Sequence, residues 1–89
     1  MLIPSYTKQF AKDLKKMLKR GKSDEKIKRV IRKLITEKRL EARYKNYRLL
    51  GNYKNRRDCH IEPDWLLIYK IMENEIIFER TGTHSDLFE

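Results

Sequence analysis

Cysteine, proline, glycine and tryptophan are all scarce in this 89-residue chain, at one, two, three and one respectively. A lone Cys59 can neither close an internal disulfide nor start a zinc knuckle, so it reads as a small buried residue. With so little glycine there is no phosphate-cradling loop, nucleophile elbow or dinucleotide fingerprint. Long apolar runs are missing too. Nothing approaches the ~20 residues of a membrane span, and the opening "MLIPSYTKQFAK" has no apolar stretch of signal length. The reading is a soluble, cytoplasmic protein with no membrane partner. Histidine is also rare. The two present, His60 and His84, lie far apart, and no carboxylates stand at ligand spacing, so neither a metal nor another cofactor is expected.

Acidic residues are few where basic ones are dense. Residues 1–57 hold 20 of the 22 Lys and Arg but only 5 of the 13 Asp and Glu. A basic body facing a more acidic final third draws polyanions in and makes their binding salt-sensitive. Lysines on exposed helix faces have a plainer use as a solubilising surface, but nucleic acid is the better fit. The length suits one small domain spanning residues 1–89, and there are enough Leu, Ile, Phe and Tyr to fill its core.

Two helices are written in the first half. Phe10, Leu14, Met17 and Leu18 fall on one stripe, and Gly21 ends that helix. Ser23 then caps a second, Asp24 and Glu25 suit its positive start, and Ile27, Val30, Ile31, Leu34 and Ile35 repeat with helical period. A helical hairpin follows. After a basic connector from Thr36 to Lys54 the period changes to that of strands over Arg56–Ile61, Trp65–Ile71 and Glu75–Thr81. Their short links favour an antiparallel meander. Leu2-Ile3, stopped by Pro4, is expected to add an edge strand. The fold class is α+β, a helical hairpin on a small antiparallel sheet in the order β-α-α-β-β-β.

"DCHIEPDWLLIYK" holds the chemistry. Period two puts Arg56, Asp58 and His60 on one face of their strand, and Asp64 opens the next strand across a tight corner. The third strand runs into "ERTGTHSDLFE", where Gly82 permits a turn and His84 leads into a tail with Phe88. If register aligns them, His60, Asp64, Arg80 and His84 suit acid–base catalysis beside a phosphate, with the arginine balancing negative charge. RNA can be cleaved in this way by its own 2′-hydroxyl, which DNA lacks. Each residue also has an ordinary role: a boundary histidine, a turn aspartate, an ion-paired arginine, a core tryptophan at Trp65.

Taken together, "RRDCHIEPDWLLIYK" and "FERTGTHSDLF" closely resemble the YafQ branch of the RelE superfamily of bacterial toxins. The resemblance spans the chain in element order and is densest from Gly51 to Phe88. It implies a RelE-like fold and a type II toxin that cleaves messenger RNA in the ribosomal A site and is held inactive by a cognate antitoxin. By the same resemblance His60, Asp64 and His84 match the acid–base residues, Arg80 the phosphate-facing arginine and Phe88 the aromatic near the C-terminus. Trp65 matches as well and is expected mainly to support the site. Some members carry a further histidine before the glycine of the connector, where this chain has Tyr47 and Arg48. These two, with Lys54 and Arg56, are expected to bind the RNA backbone, and Phe88 and Trp65 are counted with them as substrate-binding residues. A non-catalytic alternative is a toxin of the same fold that inhibits DNA gyrase, as ParE-like relatives do.

Overall fold

The computed structural model describes residues 1–40, 44 and 56–88, and the backbone of 47–48. Strand β1 (Ile3–Tyr6) is followed by helices α1 (Lys8–Lys19) and α2 (Asp24–Ile35). Then come the two-residue β2 (Tyr47–Arg48), β3 (Arg57–Glu62), β4 (Trp65–Met72), β5 (Glu75–Gly82) and a short helix α3 (His84–Phe88).

Local sequence accounts for the helix ends. Thr7 caps α1 by accepting from the Phe10 amide, and Ser23 caps α2 by accepting from the Lys26 amide. Gly21 takes a positive φ of 90° just past α1. There the Lys22 amide donates to Met17 and the Gly21 amide to Leu18, which satisfies the last carbonyls of the helix.

The strand order is β1-β5-β4-β3-β2. Strands β3, β4 and β5 form the expected antiparallel meander, while β1 pairs with β5 in parallel, so the sheet is mixed. Pro4 is tolerated because β1 is an edge strand. Central β4 is buried on both faces along Trp65–Tyr69. Leu67 and Tyr69 join Phe10, Met17, Ile27 and Val30 beneath the helical hairpin. On the opposite face Leu66 and Ile68 meet Leu87 of α3. Leu18, expected on the buried stripe of α1, is instead 37% exposed. No helix among the described residues is long and apolar enough to cross a membrane.

Two irregularities position the functional face. The β3–β4 register shifts between His60 and Glu62, and the β4–β5 register shifts at Ile68/Tyr69, leaving Glu79 as an extra residue on β5. Bulges of this kind re-aim the side chains beside them. One follows His60 directly and the other directly precedes Arg80.

Candidate active site

Asp64 stands in the two-residue turn between β3 and β4, and His84 opens α3 after β5. The meander brings them together although twenty residues separate them. Asp64 Oδ1 accepts from the His84 backbone amide at 2.9 Å and meets the ring Nδ1 at 2.6 Å. These bonds, the amide first and the ring second, hold the Asp64 carboxyl below the usual carboxylate range. An ionised carboxylate has no proton to give, so His84 Nδ1 is the donor and Nε2 is left for other chemistry. His60, on β3, lies with its ring centroid 5.6 Å from that of His84. The Phe88 ring centroid is 6.4 Å from that of His84, and Phe88 remains 45% exposed.

The position of His84 depends on α3, which at five residues is too short to be stable alone. Thr83 and Asp86 hold its start reciprocally. The Asp86 amide donates to Thr83 Oγ1 at 3.1 Å, and the Thr83 amide donates to Asp86 Oδ2 at 3.0 Å. Arg20 of α1 clamps the same carboxylate at 2.7 Å, with Lys16 at 3.4 Å. The Arg20 hydrogen bond above all, followed by the Thr83 amide, holds the Asp86 carboxyl far below its ordinary range. Gly82 serves this packing: a Cβ there would sit 3.0 Å from the Asp86 Cβ. The need is for close approach, not for the turn expected from sequence, since no positive φ is found at Gly82.

Arg80 is one register step from the histidines. It pairs with Ile68, as Asp58 does from the other side of β4, whereas His60 and Gly82 pair with Leu66. Its guanidinium forms a two-pronged contact with Asp13 of α1, Nε at 2.8 Å and Nη2 at 3.2 Å. Asp13 also accepts from the Thr81 amide at 3.2 Å, beyond the point where β1 stops covering the edge of β5.

Trp65 has no exposed surface, so as an RNA contact it must be corrected. Its indole donates to Thr81 Oγ1 at 2.9 Å, and that hydroxyl donates to the Leu66 carbonyl at 2.7 Å, tying β4 to β5 beneath the site. Arg56 is joined to Glu79 by a short ion pair. The side chains of Tyr47 and Arg48, and the whole of Lys54, lie outside the described residues.

Sequence reasoning did not single out Asp13, Thr83 or Asp86. The Thr83-x-x-Asp86 spacing is a legible helix-start signal, but Asp13 has no local one. Beside His60 is a cleft of about 310 Å³ to which α2 contributes Lys26 and Arg29, with Tyr44, Glu62 and Pro63 completing it. Glu62 bridges Lys22 at 2.8 Å and Lys26 at 2.9 Å, and these two lysines hold its carboxyl below the usual range. Among the described residues no three His, Cys, Asp or Glu side chains converge as a metal-ligand group.

Similarity to known proteins extends over nearly all of the chain. A profile of the family described as "Bacterial toxin of type II toxin-antitoxin system, YafQ" matches residues 2–89. The mRNA interferase toxin YafQ of Escherichia coli K12 is 46% identical over 84 residues, which is 93% of this chain and 91% of that protein. The putative toxin YafQ of Haemophilus influenzae is 35% identical over 88 residues, covering 91% and 86%. The toxin fold in the E. coli DinJ-YafQ complex superposes over the full length of both chains with a TM-score of 0.93 and 43% identity. A metal-bound toxin from Helicobacter pylori gives a TM-score of 0.92 at 41% identity, covering 99% of this chain and all of that one.

Proposed function

This chain belongs to the YafQ family of toxins from bacterial type II toxin–antitoxin systems, and from that premise we propose that it is a messenger-RNA endonuclease acting at the ribosome through its own acid–base residues. The observation that carries this reading is the pair of imidazoles 5.6 Å apart, one of them anchored by a carboxylate. Two such rings can reach the attacking and leaving oxygens of a single phosphodiester.

In this mechanism the 2′-hydroxyl of the bound RNA attacks the neighbouring phosphorus. His60 takes the hydroxyl proton. The protonated His84 ring keeps Nδ1–H on Asp64 and delivers the Nε2 proton to the departing 5′-oxygen. Asp64 therefore acts through His84, which leaves His60 as the base. Arg80, once turned toward the phosphate, offsets the charge that gathers on its oxygens. The products are a 2′,3′-cyclic phosphate and a 5′-hydroxyl.

The DinJ-YafQ complex of E. coli supports a cognate antitoxin as partner. The basic body, with 20 Lys and Arg up to residue 57, suits by its charge the RNA-rich walls of the ribosomal A site. Gyrase inhibition makes no use of the imidazole pair and is the weaker reading.

Primer extension on ribosome-bound transcripts tests the proposal. New breaks within the coding frame are expected with the intact, antitoxin-free toxin and not with His84→Ala. Uncut transcripts under both conditions would overturn it.

A further inference from the structure

The strand that carries His60 also buries a carboxylate that this reaction does not use. Asp58 is 5% exposed and stands two residues before His60 on the same side of β3. In register, Asp58 faces Ile68 and His60 faces Leu66. Those two side chains belong to the apolar cluster under α3 and offer no hydrogen bond. Asp58 Oδ1 and His60 Nδ1 are both buried, and neither has a hydrogen-bond partner among the described residues. Buried polar atoms are nearly always paired, because desolvation without a partner costs free energy. Two orphaned atoms side by side on one strand call for a common explanation.

Alternate residues of a strand are roughly 6.6 Å apart. One water joins polar atoms roughly 4.5–5.5 Å apart by two hydrogen bonds of ordinary length, a span that two side chains leaning toward each other from such positions reach, and two polar partners are the least that a buried water needs. We propose that Asp58 is a positioning residue for His60: through one bridging water its Oδ1 accepts from His60 Nδ1–H, which fixes the ring in the tautomer whose Nε2 can take a proton. The inference rests on the reading of His60 as the general base and supplies what that reading lacks, a reason for the ring to present a lone pair. When Nε2 takes the 2′-hydroxyl proton, the resulting imidazolium keeps its Nδ1–H on the water and faces the Asp58 carboxylate. A protonated Asp58 would reverse the relay, with the water donating to Nδ1, and would leave the proton on Nε2, where it blocks the base.

Among the described residues the other charged groups around this pair are Lys26 and Arg29 of α2, Glu62 and Arg57 of β3, Arg80 of β5, which stands across β4 at Ile68, and His84 of α3. Strand β4 places Leu66 and Ile68 opposite them. Burial pushes the Asp58 carboxyl above the usual range, opposed chiefly by charge at His60. Because the folded value is raised, the folded chain holds this proton more tightly than the unfolded chain. The contribution to stability therefore falls as pH rises from the ordinary aspartate value of ~3.9 toward the raised one. Asp58→Asn should accordingly fold at neutral pH at least as well as the parent.

Long-range proton–nitrogen NMR on the ¹⁵N-labelled toxin reads the tautomer directly, and with only two histidines in the chain His60 is assigned by difference from His84→Gln. The parent should show Nδ1–H at His60. Asp58→Asn should shift the population toward Nε2–H, move the acid limb of the single-turnover pH profile to lower pH, and slow cleavage about 10- to 100-fold at unchanged KM. That loss is smaller than the ~10²–10⁴-fold of removing a general base outright. Asp58→Glu should recover part of the rate. An Nε2–H tautomer in the parent, or an unchanged tautomer and pH profile in Asp58→Asn, overturns the inference. If Asp58→Asn does not fold, the parent tautomer alone decides. The tautomer is measured without substrate, so a toxin that fails to cut RNA yet shows the relay would sink the endonuclease reading and leave Asp58 in place.

Discussion

Asp64 Oδ1 holds His84 twice, through the backbone amide at 2.9 Å and the ring Nδ1 at 2.6 Å, so one carboxylate fixes both the start of α3 and the face its imidazole presents. Asp64→Asn keeps the shape but removes the charge. Single-turnover cleavage on programmed ribosomes should fall by ~10²–10⁴-fold, comparable with His84→Ala. Because the two act as a unit, the double variant should be scarcely slower than either single one. Multiplicative losses would show that Asp64 works independently of His84.

Acid pH should weaken the other anchor of α3. The Asp86 carboxyl is held far below its ordinary range, first by Arg20 and then by Thr83. Its folded value is depressed, so the stabilisation is complete above the ordinary aspartate value of ~3.9 and is lost as pH falls through the depressed one. Thermal melts between pH 2 and 7 should show Asp86→Asn with a shallower acid slope than the parent. At neutral pH the lost helix start costs about 1 kcal/mol. Cleavage should drop too, because His84 rides on the same five residues.

The Arg80–Asp13 contact predicts an effect on stability as well as on rate. Asp13 is 8% exposed and accepts from Arg80 and from the Thr81 amide. Asp13→Ala leaves a buried amide and a guanidinium without that partner, at roughly 1–3 kcal/mol in urea denaturation. Arg80→Lys cannot reproduce the planar fork and should lose stability as well as rate. Unchanged denaturation midpoints in both variants would mean that Asp13 contributes nothing to this edge of the sheet.

These contacts mark where sequence reading succeeds and where it stops. The helical hairpin was legible because apolar period, caps and Gly21 all agree, and the meander because its links are short. The parallel pairing of β1 was not, since a four-residue edge strand carries no sign of direction. Helix α3 is too brief to show a period, and only the Thr83–Asp86 spacing announces it. His60 and Asp64 could be set near one another across their tight corner, but bringing His84 to them needed a register that alternation does not supply. Arg80 could not be aimed, because the extra residue at Glu79 is invisible to counting by twos and its partner Asp13 lies 67 residues away.

Trp65 and Phe88 should separate support from contact. Trp65 is wholly buried and bonded to Thr81, whereas Phe88 is 45% exposed beside His84. Trp65→Ala should cost about 3–5 kcal/mol, enough to unfold a small domain near 37 °C. Phe88→Ala should leave the melting temperature within a few degrees and slow cleavage by losing a stacking face, worth ~1–3 kcal/mol per base. Equal destabilisation of the two variants in thermal melts would place Phe88 in the core instead.

Metal ions should hinder the reaction, not support it. The proposed base must offer a lone pair on His60 and the proposed acid must carry a proton on His84, and an ion taken up by these two rings would remove both. The His60 and His84 rings, with centroids 5.6 Å apart, are where a nitrogen-seeking ion would interfere. EDTA treatment of the toxin should leave single-turnover cleavage unchanged, with magnesium held at the level that keeps ribosomes intact. Added Zn²⁺ or Cu²⁺ should slow it, and less so in a His84→Gln background measured by residual rate. End analysis completes the test, because attack by the 2′-hydroxyl leaves a cyclic phosphate and a 5′-hydroxyl whatever the ionic conditions. Loss of activity on chelation together with 5′-phosphate ends would instead require a metal-activated water, and would displace His60 as the base.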